Sequence, residues 1–282
     1  MDNLSNRATL VSLKIKNWAG TVVDKKVSEQ VLYENQASDE AGSFRKRLMP
    51  KDAMKPISAV LNEVRKYVKT KTLAWEDGKQ RLLAASLITE FTDTLREHEV
   101  SLENAVTDFI ACYGEYKEAA KDILNGLYIE GDYPPESELR EKFSLKYEFQ
   151  NISDPDDFRC TISNDLKEKI QNDMKSTIDQ KYAGSMKKLY ERVYTVVSKF
   201  NEKLSDEDAT FNKSLINNIE DLVSVLPALN IMEDSKLSAL TTQIQTEICK
   251  FNPLDLRKDK EIRKDAVQAS SQILASLEEM YT

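Results

Sequence analysis

Residues 164–204 read NDLKEKIQNDMKSTIDQKYAGSMKKLYERVYTVVSKFNEKL, and the fold turns on them. In the second half Met186, Leu189, Val193, Val196, Phe200 and Leu204 recur at intervals close to three and four. That is the period at which one side of an α-helix meets a partner, with charged residues filling the positions between. No proline interrupts the run, so the spacing predicts one long helix packed on other helices. Stripes of this kind form the core of a bundle or a coiled-coil seam and need no cofactor to explain them.

Downstream the same period continues. Helices are predicted over residues 206–226, ended by Pro227, over 235–251, ended by Pro253, and over 259–281, where Ile262, Ala266, Ala269, Ile273, Leu277 and Met280 form the stripe. Residues 164–282 therefore read as an all-helical region, a helical bundle or coiled coil.

Upstream the pattern is mixed. Val11, Leu13 and Ile15 alternate with Ser12, Lys14 and Lys16, which is strand periodicity, and Gly20 offers a turn into the β-branched residues 21–23. A small hairpin is expected there, with Val27, Val31 and Leu32 as the alternative start of a helix. Ile57, Val60, Leu61, Val64 and Val68 predict a helix over residues 52–70, with Pro56 in its first turn. Glu76-Asp77-Gly78 signals a turn, after which helices are expected over residues 82–97 and 101–128, the second capped by Ser101. Gly131, Pro134 and Pro135 stop that run. Leu145, Tyr147 and Phe149 then alternate as a strand, expected to pair with residues 158–162 across an Asp154-Pro155 turn. The fold class that follows is mainly α with a small antiparallel β component: an α+β region over residues 1–163 and the helical region over 164–282.

Composition narrows the function. Of 282 residues 31% are charged, with seven glycines and seven prolines, which favours long helices over tight turns. Cys112, Cys160 and Cys249 lie far apart without metal-ligand spacing, so reduced thiols in a cytoplasmic protein are expected, in a bacterial cell or an infected host cell. The opening residues MDNLSNRATL carry no secretion signal, and no apolar run is long enough to span a membrane.

Catalytic patterns are sparse. His98 stands alone in REHEV and builds no triad, and neither a GxSxG elbow nor a glycine-rich phosphate loop occurs. Asp156, Asp165 and Lys167 faintly match the carboxylates and lysine of metal-dependent nucleases, in which acids hold Mg²⁺ and lysine polarises water. Asp154, Asp156 and Asp157 read more naturally as turn-forming side chains, and Asp165 as part of a helix cap. No cofactor or metal is expected, and a non-enzymatic role is.

Charge is more informative. Arg45, Lys46, Arg47, Lys51, Lys55, Arg65, Lys66, Lys69 and Lys71 face only Asp52 and Glu63 between residues 44 and 71, a segment of +7 in a chain of −8. Such a segment, with Phe44 and Tyr67 beside it, is suited to tracking a nucleic-acid backbone, to docking on acidic protein surface, or simply to solvation.

Short patterns in order, Trp18-Ala-Gly20, Leu73-Ala-Trp75 with Gly78, Asp132-Tyr133-Pro134, Phe143, and Asp154-Pro155 followed by Asp157-Phe158-Arg159, resemble a bacterial and phage family known as domain of unknown function 3150. The resemblance implies no catalytic residues. It implies a setting on phages and mobile elements beside MoxR- or CobS-like AAA+ ATPases and von Willebrand factor A proteins. The resulting expectation is a helix-rich interaction or assembly protein of phage or mobile-element type, self-associating or accessory to an AAA+ ATPase, with nucleic-acid binding through residues 44–71 as the alternative.

Overall fold

A computed structural model describes residues 4–76, 79–158, 160, 162–206 and 214–281. A helical turn, α1 (Leu4–Arg7), leads into the long strand β1 (Ala8–Lys16), and the short strand β2 (Thr21–Val23) precedes helix α2 (Lys25–Glu34). Strand β3 (Arg45–Arg47) and helix α3 (Lys55–Lys71) follow, then strands β4 (Leu73–Trp75) and β5 (Gln80–Ala84), helices α4 (Ile88–Ala111) and α5 (Tyr113–Leu124), the short α6 (Glu136–Leu139) and strand β6 (Ser144–Gln150). The remainder holds α7 (Asn164–Ser205), α8 (Ser214–Leu229), α9 (Ser235–Glu247), α10 (Pro253–Lys258) and α11 (Lys260–Tyr281). The chain is mainly α with a small antiparallel β component, and no helix of the described residues is long and apolar enough to cross a membrane.

Four strands form one sheet in the order β4-β5-β1-β6, and β2 with β3 forms a separate ribbon. Strand β5 pairs antiparallel on both sides, so that Leu10, Leu82 and Leu73 stand opposite one another in a row across three strands. All three are buried.

Five expectations are corrected. First, β1 and β2 make no hairpin: Gly20 takes a left-handed φ of +61° and its carbonyl accepts the Leu48 amide at 2.8 Å, which aims β2 at β3. Second, residues 82–84 are strand, because a short apolar run in which Leu82, Leu83 and Ala84 are all buried suits either periodicity and the β4 and β1 pairings decide it. Third, Ser101 caps nothing; it lies inside α4 and its hydroxyl donates to the Glu97 carbonyl. Fourth, β6 lies beside β1 and pairs with no strand over 158–162, where Phe158, Cys160 and Ile162 are outside any strand. Fifth, Pro227 sits within the last turn of α8, and Pro253 opens α10 rather than closing α9. The Asp77-Gly78 turn, Arg159, residues 207–213 of the helix expected over 206–226, and the Met280 side chain lie outside the described residues.

Two compact units divide the chain: Met1–Ser12, Tyr67–Phe91 and Glu148–Thr282 form one, Leu13–Lys66 and Thr92–Tyr147 the other. Neither begins or ends at residue 163. In the first, α7 buries Met186, Tyr190, Val193, Val197, Phe200 and Leu204, alternately four and three residues apart. They join one core with residues of α8, α9 and α11 and with Leu73, Trp75 and Leu82 of the sheet. The Asn201 amide clips α7 to α11 by donating to Val267 O at 3.0 Å and to the hydroxyls of Ser270 and Ser271 at 2.8 and 2.9 Å. The second unit buries Ile57, Leu61 and Val64 of α3 and Leu102, Val106 and Phe109 of α4. Phe109 is ringed by Trp18, Tyr113 and Phe143 at centroid distances of 6.2, 5.9 and 6.0 Å.

Candidate nucleic-acid interface

The nine cations of residues 45–71 fall into three groups once folded. On β3 successive side chains turn to opposite sides of the ribbon, so Arg45 and Arg47 share one side and Lys46 takes the other. Arg45 and Arg47 are exposed, and Lys46 is only 3% exposed.

Lys46 is committed to structure. Its Nζ lies 3.0 Å from Asp24 Oδ2 and 2.8 Å from Asp132 Oδ2, and donates to the Leu127 carbonyl at 2.8 Å. Asp24 is also the N-cap of α2, accepting the Val27 amide at 3.1 Å. One buried ammonium therefore ties the ribbon to the start of α2 and to the segment after α5. Burial works to lower the Lys46 pKa, but the hydrogen bonds and charges of Asp132 and Asp24 outweigh it and hold the ammonium above its ordinary value. The Val27 amide, then Lys46, hold the Asp24 carboxyl below its own. Beside them the buried Tyr133 hydroxyl has no hydrogen-bond partner among the described residues.

Lys55 and Lys71 are paired as well. Lys55 meets Asp52 at 2.7 Å with both side chains exposed, an arrangement that contributes little. Half-buried Lys71 meets Glu90 at 2.6 Å.

The remaining six make no ion pair among the described residues. Arg45 donates to the Thr21 hydroxyl and Arg65 to the Asn62 side chain, each at 3.1 Å. Arg47, Lys51, Lys66 and Lys69 are exposed. At 100° per residue, Lys55, Arg65, Lys66 and Lys69 fall within an arc of about 100° on α3, away from the buried Ile57, Leu61, Val64 and Val68. Arg45, Arg47, Lys51, Lys55, Arg65 and Lys66 belong to one unit, whereas Lys69 and Lys71 belong to the other. Of the two flanking aromatics, Phe44 is exposed, and Tyr67 stacks on Phe91 at 5.7 Å.

Asp156 of the nuclease pattern is exposed on the turn that the Asp154 side chain caps. Asp154 accepts the Asp156 amide at 3.0 Å and the Ser5 hydroxyl at 3.4 Å, and Asp165 is exposed in the first turn of α7. Among the described residues no group of three or more His, Cys, Asp or Glu is placed to hold a metal ion. The residues that set the interface but escape the sequence are Asp24 and Asp132, because nothing local marks them as the partners of one lysine. Compared with family models, curated proteins and solved structures, the chain finds no match in any of the three.

Proposed function

We propose that the chain is a non-enzymatic binding protein that holds nucleic acid by its phosphates, through Arg45 and Arg47 on the ribbon and Lys51, Arg65 and Lys66 on and before α3. The observation that carries this reading is the absence of any ion pair to these five side chains among the described residues. Among the described residues their charge is not spent on the protein's own carboxylates, whereas the charges of Lys46, Lys55 and Lys71 are. Phosphate contacts release counterions, so affinity for an oligonucleotide falls steeply with salt, with about one unit of log–log slope per phosphate neutralised. Arg45→Glu with Arg47→Glu is expected to weaken binding regardless of base sequence and to lower that slope by about two. Fluorescence anisotropy with single- and double-stranded oligonucleotides across a salt series measures both. Salt-insensitive binding, or equal affinity of the variant, would sink the proposal. So would displacement of the oligonucleotide by poly-glutamate at equal charge concentration, which would assign the surface to an acidic protein.

A second reading, docking of a protein partner such as an AAA+ ATPase or a second copy, is favoured by α7. Its first half buries no residue and carries Leu166, Ile170 and Met174 four apart, with Leu166 47% exposed. Leu166→Glu with Met174→Glu should then abolish any concentration-dependent association seen by light scattering while leaving the melting temperature unchanged. Association that persists in the variant counts against this reading.

A further inference from the structure

The carboxyl end of α3 is closed by two guanidinium groups from other elements of its unit. Arg81 of β5 donates from Nη2 to the carbonyls of Thr72 at 3.0 Å and Lys69 at 3.5 Å, and from Nε to the Thr72 hydroxyl. Arg192 of α7 donates from Nη1 to the carbonyls of Thr70 at 3.3 Å and Lys69 at 3.4 Å. A helix end presents about half a negative charge. Two guanidinium groups bring two positive ones, so the helix leaves most of the charge unanswered.

Among the described residues no carboxylate makes up the difference. Neither arginine forms an ion pair among the described residues, and Arg81 Nη1 and Arg192 Nε and Nη2 are outside any protein hydrogen bond there. Burial, and then the neighbouring Arg192, hold the Arg81 guanidinium below its ordinary pKa; burial does the same to Arg192. Both groups stay charged at neutral pH. They line a cleft of about 410 Å³ with Lys69 and Lys188, and among the described residues Glu191 is the one acidic residue of its lining and forms no ion pair with any of them. Lys188 reaches the Glu76 carbonyl at 3.3 Å. The apolar part of the lining is Leu73 with Leu189 and Val196, which flank Arg192 on the same face of α7. Idle, fixed N–H donors on two adjacent guanidinium groups match the oxygens of a phosphoryl group, and its charge relieves their mutual repulsion.

We propose that this cleft binds a small phosphorylated molecule, the phosphoryl oxygens taken by Arg81 and Arg192 and the apolar body lying against Leu189 and Val196. The site is independent of the nucleic-acid interface, since none of the five cations proposed there lines it. Isothermal titration of the full chain with a nucleoside monophosphate and with inorganic phosphate tests it. The nucleoside monophosphate should saturate, and bind about tenfold more tightly than inorganic phosphate through its apolar contacts. Arg192→Lys, which keeps a charge but loses the fork, should weaken it by about tenfold. Lys69→Ala with Lys188→Ala, confined to exposed side chains, should weaken it several-fold without altering the melting temperature, so the site stays testable if the arginine variant unfolds. Arg45→Glu with Arg47→Glu should leave it unchanged. Absence of saturation at millimolar concentration, equal affinity for the two probes, or undiminished binding in the lysine variant overturns the proposal.

Discussion

Arg45, Lys46 and Arg47 are three consecutive cations, and the pleat of a strand gives them opposite work. Lys46 is sealed between Asp24 and Asp132 while its neighbours face solvent. Removing a buried ammonium leaves carboxylates without their counter-charge, so Lys46→Met should cost about 3 kcal/mol by urea unfolding. Arg45→Ala or Arg47→Ala should stay within about 0.5 kcal/mol. The pH dependence follows from the directions of the two shifts. Asp24 is held below its ordinary value, so its stabilisation is complete above the carboxylate range and is lost as pH falls through the folded value. Lys46 is held above its ordinary value, so its stabilisation is complete below the lysine range and is lost as pH rises through the folded value. The urea midpoint should be flat between about pH 5 and 9 and fall at both ends. In Lys46→Met the acid limb should become shallower, retaining the share that the Val27 amide gives Asp24. The sequence displays the density of positive charge here. It cannot display which cations are spent, because Asp24, Asp132 and Glu90 are brought to them only by folding.

At the scale of elements, helices with long stripes are legible and their ends are not. The α7 seam is foreseen through Met186, Val193, Phe200 and Leu204. Val197 is buried while Val196 is half-buried, a one-residue shift that a pair of adjacent valines cannot settle in sequence. Strand β5 is missed because Leu82, Leu83 and Ala84 form an apolar run without alternation, and only its partners β1 and β4 make it a strand. Ser101 misleads for a related reason: Ser-Leu-Glu-Asn carries the chemistry of a helix start, yet α4 already supplies the turn before it and absorbs the hydroxyl at Glu97 O. The two placements differ in the sign of one measurement. A capping serine replaced by alanine costs about 1 kcal/mol. A serine inside a helix and exposed to solvent gains a few tenths of a kcal/mol on becoming alanine, through helix propensity. Ser101→Ala is therefore expected to raise the thermal midpoint slightly, and a clear fall would restore the break in α4.

The whole molecule is divided in space where the sequence suggests a division in order. A change of hydrophobic period near residue 163 marks where strands stop, and reads as a boundary between an α+β region and a helical one. The compact unit that holds α7 to α11 also takes in Met1–Ser12 and Tyr67–Phe91, so its core includes Leu10, Leu73, Trp75 and Leu82. Periodicity reports which residues seek burial and is silent on which distant segment buries them. A fragment of residues 164–282 consequently keeps every helix of the bundle and loses part of its cover. It also frees Ser185 from the Ala74 carbonyl and Arg192 from the end of α3. Each large apolar side chain left without its partner forfeits about 1.5–3 kcal/mol, and a few such losses match the net stability of an ordinary domain. The fragment should retain helical far-ultraviolet circular dichroism but bind a hydrophobic dye, melt without a sharp transition and show little near-ultraviolet signal. A fragment of 1–12 and 67–91 linked to 148–282 restores the missing surface and should melt cooperatively. Cooperative melting of residues 164–282 alone would mean that the sheet residues decorate the helical core rather than complete it.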